Sequence, residues 1–193
     1  MFISKVFSFF FVCMLTVCGN SVSQIENTNQ IQQKEKTELS LRMERTGCYG
    51  QCPAYDVVVQ SDGKVLFNGK SYTKITGKVE DKITEEQLKQ LIAEIDNSNF
   101  FSFDDAYTYD SENCPSIATD MATVTLFISL NGKEKTIIHY WGCWINQVPK
   151  EHNSANIRVE KDYSPQVFPQ QLYNLENKID EIVETKRWVE ERK

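Results

Sequence analysis

Four cysteines constrain the fold of this chain more than any other feature of its sequence. The chain has 193 residues and six cysteines, of which Cys13 and Cys18 belong to an apolar N-terminal segment. An even number of remaining cysteines is typical of an exported chain that forms disulfides in an oxidising compartment. The sequence therefore predicts two disulfides among Cys48, Cys52, Cys114 and Cys143.

The N-terminus has the layout of a secretory signal peptide. Lys5 precedes an apolar run over residues 6–17, and small polar residues follow. This run is shorter than the roughly 20 residues that a membrane-spanning helix needs. We therefore predict a signal peptide over residues 1–23, removed in an exported protein of the periplasm or cell envelope.

Cys18 offers a second interpretation of the same segment. Leu15–Cys18 is similar to a lipobox, in which Cys18 becomes a lipid anchor, although Val17 departs from the small residue expected before that cysteine. Residues 24–38 are polar and rich in Gln and Asn, so they predict a flexible leader. Such a leader suits a lipid tether, and both interpretations stay open.

Composition and charge limit which classes of protein and of binding partner fit this sequence. Hydrophobic residues make up 40% of the chain and charged residues 25%, which is ordinary for a globular protein with one core. The chain has 21 basic and 27 acidic residues, for a formal net charge of −6. An acidic chain without a basic cluster is not expected to bind nucleic acid.

The pattern of apolar residues predicts an α+β domain over residues 39–190. Asp62–Gly63 and Asn131–Gly132 mark hairpin turns, because both residues of each pair tolerate a positive φ, and Gly77 suggests a bulge. Thr84 and Gln87 form a capping box ahead of the first helix. Strands are predicted near residues 39–44, 54–60, 64–67, 72–80, 122–130 and 135–141, and helices over residues 84–95 and 169–186. These elements predict an antiparallel β-sheet of about six strands, a meander plus a hairpin, with two helices packed on one face.

A specific motif identifies a family. Arg45–Tyr55 reads RTGCYGQCPAY, which resembles the signature R-T-x-C-x-G-x-C-P-x-Y of a bacterial family catalogued as domain of unknown function 6438. Later features agree in order, and the resemblance covers about residues 39–190. It implies an exported or envelope-associated α+β domain and no established activity. The later features are Cys114–Pro115, His139–Tyr140, Gly142–Cys143 and Arg187–Val189.

The predicted Asn131–Gly132 hairpin bears on the cysteine pairing. Residues that face each other across this turn have numbers adding to 263, so Cys143 is expected opposite Asp120 and near Cys114. This favours a Cys114–Cys143 bridge, with Cys48 and Cys52 paired locally. The alternatives stay open: Cys48 with Cys114 and Cys52 with Cys143, or the remaining combination.

Two chemical alternatives use the same cysteines. A thiol redox site at Cys48 and Cys52 would require a helix N-terminus to lower the thiol pKa, whereas Pro53 and a strand follow. A zinc site would use the four cysteines, or three of them with His139. Because an oxidising compartment favours disulfides, we expect neither a metal nor another cofactor.

Three other groups of residues are weaker candidates for a functional site. Asp104, Asp105, Asp110, Glu112 and Asp120 lie in one polar loop but lack the spacing of a calcium loop. His139 is predicted in a strand and His152 in an irregular segment, and no catalytic motif surrounds a serine. Three aromatic residues at the end of a hairpin form a candidate binding surface if exposed and part of the core if buried; they are Tyr140, Trp141 and Trp144.

The function predicted from the sequence is that of a non-catalytic binding or envelope-associated module. Its expected partner is a protein or a glycan, and its expected contact with a membrane is limited to lipid on Cys18. The alternative is a thiol redox or metal-binding protein that uses Cys48 and Cys52. No catalytic residue is assigned.

Overall fold

Ten strands and two α-helices follow one another along residues 37–145 and 166–189, the residues that this computed structural model describes. Short 3-10 helices cover Phe100–Ser102 and Thr185–Arg187. The signal segment, Cys18 and His152 lie outside the described residues. The elements are β1 (Leu39–Arg45), β2 (Ala54–Gln60), β3 (Lys64–Ser71), β4 (Gly77–Lys82), α1 (Glu85–Asn97), β5 (Ala106–Tyr107), β6 (Ser116–Ile117), β7 (Thr123–Leu130), β8 (Lys133–Tyr140), β9 (Cys143–Ile145), β10 (Gln166–Val167) and α2 (Gln170–Val183).

The main sheet has seven strands in the order β4-β3-β2-β1-β7-β8-β5. All of its pairs are antiparallel except β5 with β8. The prediction of about six antiparallel strands is therefore corrected to seven strands with one parallel pair. A second sheet of three strands, β10-β9-β6, was not predicted. Its strands have only two or three residues, too few to show a period of two.

The hairpin turns differ in how they use glycine. Asn131 (φ 50°) and Gly132 (φ 80°) both adopt the left-handed region, and Thr123 lies opposite Tyr140, which confirms the predicted register. In the other turn only Gly63 has a positive φ, of 81°, because this turn has a longer loop closed by Gly63 N–H and the Gln60 carbonyl at 2.9 Å. The predicted bulge at Gly77 is also wrong, since Gly77 begins β4 and the register shift lies between Ala54 and Tyr55 in β2.

The helices begin where predicted, but the second ends early. The Thr84 hydroxyl accepts from Gln87 N–H at 3.1 Å, and the Gln87 side chain accepts from Thr84 N–H at 2.9 Å, which confirms the capping box. The second helix ends at Val183, because Glu184 adopts a left-handed φ of 60°. Among the described residues, neither helix is long and apolar enough to cross a membrane.

The two helices contribute to the same core as the main sheet. In β1, residues alternate between buried and exposed positions, so every second side chain points to the core. Buried residues of α1 and α2 belong to this hydrophobic cluster. They include Leu91 and Ile95 in α1 and Leu172, Leu175, Ile179, Ile182 and Val183 in α2.

Two disulfides join the four cysteines of the described chain. Cys48 is bonded to Cys52 and Cys114 to Cys143, each with a Cα–Cα distance of 5.4 Å. The expected position of Cys143 opposite Asp120 is wrong: Cys143 pairs with Ile117 in the small sheet. The β7–β8 ladder ends at Tyr140, and the chain turns at Gly142 before β9 starts, which shifts the register.

The turn at Gly142 supplies a first testable prediction. A Cβ at this position would collide with the Ala118 carbonyl oxygen and the Tyr140 ring, whereas at Gly47 the nearest atom would lie 4.0 Å away. We expect Gly142→Ala to lower the free energy of unfolding by about 1–3 kcal/mol, the typical cost of overpacking. Urea denaturation measures it, with Gly47→Ala as the control that costs less. Equal losses in the two variants would contradict the predicted collision.

Candidate functional site

Arg45 and Tyr55 lie at the two ends of the loop that contains the Cys48–Cys52 disulfide. Arg45 is the last residue of β1, and its register partner in β2 is Tyr55. Both side chains are buried, with 5% and 3% of their surface exposed, because strand alternation directs them to the face that the core covers. The strands therefore place a buried cation and a buried phenol at the two ends of the disulfide loop.

Asp180 of α2 binds both of these side chains. Its Oδ2 lies 2.8 Å from Arg45 Nε and 2.7 Å from Arg45 Nη2. Its Oδ1 accepts from the Tyr55 hydroxyl at 2.7 Å and from the Thr185 hydroxyl at 2.9 Å. We call these four residues the Arg45–Asp180 cluster. Because four donors occupy the carboxylate, it serves as a structural anchor rather than as a catalytic base.

Burial and neighbouring charges shift the pKa values of Arg45 and Tyr55. Burial of the guanidinium is the largest single influence and lowers the pKa of Arg45, but the attractions of Asp180, Tyr55 and Glu176 together outweigh burial and the net pKa is raised. Burial, followed by the negative charge of Asp180, raises the pKa of Tyr55. The guanidinium carbon also lies 4.5 Å from the centre of the Trp141 ring, a stabilising cation–π contact. The cluster therefore holds a charged arginine and a neutral tyrosine.

The raised pKa of Tyr55 predicts a loss of stability at alkaline pH. Its folded pKa lies above the ordinary value of 10.0, so its contribution is complete below about pH 10 and is lost as the pH rises through the folded pKa. Above about pH 10, each further unit costs up to roughly 1.4 kcal/mol from this residue. Urea denaturation between pH 9 and 12 measures the slope, with Tyr55→Phe expected to reduce it and the exposed Tyr109→Phe to leave it unchanged. Identical slopes for wild type and Tyr55→Phe would contradict this assignment.

A second polar network lies one helical turn away on α2. His139 and Glu176 are fully buried, and His139 Nδ1 lies 2.8 Å from Glu176 Oε1. His139 Nε2 lies 3.1 Å from the Phe168 carbonyl oxygen. Since a carbonyl only accepts, Nε2 carries a proton, and one further proton lies between His139 Nδ1 and Glu176 Oε1. Trp141 Nε1 donates to Glu176 Oε2 at 2.7 Å, so every polar atom of this pair has a partner.

An open groove of about 1480 Å³ lies beside the disulfide loop. Tyr49, at the tip of the loop, is 89% exposed, and Tyr72, between β3 and β4, is 51% exposed. We call this feature the disulfide groove. Its lining consists of Cys48–Cys52, Tyr72, Lys74, Asp180, Glu181, Glu184, Lys186, Arg187 and Val189.

The charges in the disulfide groove balance, and most of them are paired. Arg187 binds Asp81 at 2.6 Å and stacks on the Trp188 ring at 4.3 Å. Glu181 pairs with Lys178. Within the described chain, Lys74 has no ion-pair partner. The groove therefore presents two phenol rings and directional polar groups without a strong net field.

A second depression, of about 770 Å³, lies against β8 and is less suited to a ligand. Lys135 forms an ion pair with Asp105 at 2.9 Å, and Lys133 lies 6.0 Å from the centre of the Phe101 ring. Because its cations are engaged by neighbouring side chains, the disulfide groove is the stronger candidate.

The family model for Domain of unknown function (DUF6438) matches residues 39–161. This match covers more than half of the chain. The protein belongs to the DUF6438 family. The matched region includes all four cysteines of the two disulfides together with Arg45 and His139, and it ends before α2. A comparison with curated proteins gave no match.

The predicted aromatic surface is mostly engaged within this DUF6438 chain. The Tyr140 hydroxyl donates to the Ala118 carbonyl at 2.7 Å, and Trp144 Nε1 donates to the Trp141 carbonyl at 3.0 Å. Trp141 is enclosed by Arg45 and Tyr173. All three aromatic side chains are half-buried, so they position the loop and the cluster more than they offer a surface.

Three further candidates from the sequence are the Cys48–Cys52 pair as a redox site, a metal site and the acidic loop. Cys48 and Cys52 are half-exposed and precede β2 rather than a helix. Among the described residues, no group of three or more His, Cys, Asp or Glu side chains could hold a metal ion. In the acidic loop, Asp104 accepts from Asn113 at 2.8 Å and Asp105 pairs with Lys135.

Sequence reasoning missed the two acids of α2 that complete the buried networks. Glu176 and Asp180 lie four residues apart, and Glu176 is fully buried among Leu172, Leu175 and Ile179. An acid within an otherwise apolar helix stripe is the signal that could have identified Glu176, since a buried charge needs a partner. Tyr72 carried no such signal, because its exposure depends on how the chain connects β3 to β4.

Proposed function

We propose that this protein is an exported, non-catalytic binding module whose contact surface is the disulfide groove. The observation that supports this most is the position of Tyr49, which is 89% exposed at the tip of a loop closed by the Cys48–Cys52 disulfide. Tyrosine is enriched among the residues that dominate binding energies. A solvent-exposed ring on a constrained loop buries little apolar surface within the fold and is available for contact with a ligand.

The surroundings of the loop hold it in place, so binding is expected to cost little conformational entropy. The disulfide closes the loop, Tyr49 N–H donates to the Asp120 carbonyl at 3.0 Å, and the Arg45–Asp180 cluster ties its two ends to α2. A surface held in its bound conformation loses less entropy on association. Export is supported by the predicted signal peptide and by two disulfides, which are typical of oxidising compartments.

A Tyr49→Ala variant tests the proposal. Isolated envelopes of the organism that makes the protein are titrated with labelled full-length protein, and the bound fraction is measured by sedimentation. We expect saturable binding that Tyr49→Ala weakens at least tenfold, since truncating a central anchor costs about 2 kcal/mol or more. Tyr109→Ala, which removes a tyrosine that is 64% exposed outside the groove, is the matched control. Absence of saturable binding, or equal losses in both variants, would overturn the proposal.

A thiol redox function is the second candidate, because the Cys48–Cys52 disulfide is half-exposed and lines an open groove that an attacking thiolate could enter. Intact mass with alkylation, before and after mild reduction, separates the two functions. Ready reduction of Cys48–Cys52 alone would favour redox chemistry, and four blocked cysteines would favour binding. The same spectrum measures where the signal peptide is removed and whether Cys18 carries lipid.

A further inference from the structure

We propose that the disulfide groove binds a neutral oligosaccharide, an inference that rests on the proposed binding function of the same groove. Three features of the described residues support this ligand class: two exposed phenol rings, a balanced set of charges, and a large open volume.

The exposed rings match the faces of a sugar. Tyr49 and Tyr72 are 89% and 51% exposed and line the same groove. An aromatic face carries partial negative charge, and the C–H groups on one face of a pyranose ring carry partial positive charge. Each tyrosine can therefore stack against one sugar ring, while its hydroxyl remains available to the sugar's own hydroxyls.

The backbone that carries both tyrosines is constrained, at Tyr49 by the disulfide and the hydrogen bond of its N–H to the Asp120 carbonyl. Tyr72 adopts a left-handed φ of 52°, an unfavourable conformation for a large side chain that the surrounding structure must hold in place. The segment that follows is tied to the C-terminal end of the described chain, where Ile75 N–H donates to the Trp188 carbonyl at 3.1 Å and Thr73 forms a β-bridge with Val189. Two tyrosines on a constrained backbone can each stack on a ring of the same ligand.

The charges favour a ligand without net charge. Three acidic and three basic side chains line the groove, and Asp180, Glu181 and Arg187 are engaged in ion pairs. A polyanion would meet as much repulsion as attraction there. Lys74 can instead donate charge-assisted hydrogen bonds to sugar hydroxyls, and Glu184, whose contacts with Arg187 and Gln87 are long at 4.0 and 3.4 Å, can accept them.

The size favours a chain of sugars over a single small molecule. The groove encloses about 1480 Å³, whereas sites for small ligands typically enclose about 300–1,000 Å³. An open site of this volume can accommodate several linked rings. Its concave shape suits a narrow polymer better than the broad face of a folded protein.

Selective destruction of the envelope material tests the ligand class. One portion of the isolated envelopes is digested with proteinase K, which cleaves peptide bonds. A second portion is treated with anhydrous trifluoromethanesulfonic acid, which cleaves glycosidic bonds and leaves peptide bonds intact. Binding of the labelled full-length protein to each portion is then compared with its binding to untreated envelopes.

We expect affinity to stay within twofold after proteinase K and to fall at least tenfold after the acid. We also expect Tyr49→Phe, which keeps the stacking ring, to bind within threefold of wild type while Tyr49→Ala loses tenfold. Loss of binding after proteinase K, or retention after the acid, would overturn the oligosaccharide and leave the groove binding a protein or a lipid. Absence of any Tyr49-dependent binding to untreated envelopes would instead overturn the proposed function itself.

Discussion

Asp180→Ala is expected to lower the free energy of unfolding by about 3–5 kcal/mol, the typical cost of leaving a buried charge without its partner. The Arg45 side chain is only 6% exposed, and Asp180 receives two of its N–H groups. The substitution also removes the acceptor of the Tyr55 and Thr185 hydroxyls. Thermal or urea denaturation of the purified variant measures the loss.

The neighbouring acid provides a matched control for this substitution. Glu181 lies on the same helix, its side chain is 64% exposed, and it pairs with Lys178 on the surface. Glu181→Ala should cost no more than about 1 kcal/mol, as is usual for exposed ion pairs. The double variant Arg45→Met/Asp180→Leu should recover part of the loss, because it removes both buried charges together. A cost below about 1 kcal/mol for Asp180→Ala would contradict the anchoring role of the cluster.

Removing the Cys114–Cys143 bridge is expected to cost about 3.6 kcal/mol, from the chain entropy of the closed loop. The bridge joins cysteines separated by 29 residues and ties the loop before β6 to the buried Cys143. Replacing both cysteines by alanine avoids a lone thiol. Urea denaturation under non-reducing conditions compares the variant with wild type.

The other disulfide is the internal control. Cys48 and Cys52 are separated by only four residues, so the same model gives about 1.9 kcal/mol. Loss of the short bridge should instead weaken binding through the groove, because the loop that presents Tyr49 is no longer closed. An equal or larger loss of stability from the short bridge would contradict the entropic account of the pair.

Much of this fold could be predicted from local patterns. The capping box at Thr84 and the Asn131–Gly132 turn depend on residues close in sequence, and both are confirmed. The two-residue strands β5 and β6 could not be predicted, since they exist only because distant segments hold them in place. The position of Cys143 was predicted wrongly, because a turn at Gly142 interrupts the ladder between β7 and β8 and Cys143 pairs with Ile117 instead.

The candidate site could be predicted only in part. The segment from Arg45 to Tyr55 stood out by its motif, but the motif does not reveal that Arg45 and Tyr55 share one acid on α2. That acid is 135 residues from Arg45, and no local pattern links the two. The groove likewise arises from the packing of distant segments, so its tyrosines could not be grouped beforehand.

The buried networks stabilise the fold, whereas the groove is the proposed binding surface. The Asp180 carboxylate and the polar side-chain atoms of the His139–Glu176 pair have their hydrogen-bond partners inside the protein. Apart from Asp180, the side chains of these networks do not line the groove. Substitutions in the networks are therefore expected to change stability first, whereas substitutions of Tyr49 and Tyr72 change affinity in a folded protein.

Hydrogen–deuterium exchange of the full-length protein, with and without isolated envelopes, tests the central claim most directly. Mass spectrometry of peptides then locates the amides that binding protects. Binding through the disulfide groove predicts protection in residues 46–55, 72–76 and 180–189, and unchanged exchange along β8 and residues 101–105. Protection confined to β8, or saturable binding without protection of the Cys48–Cys52 loop, would contradict it.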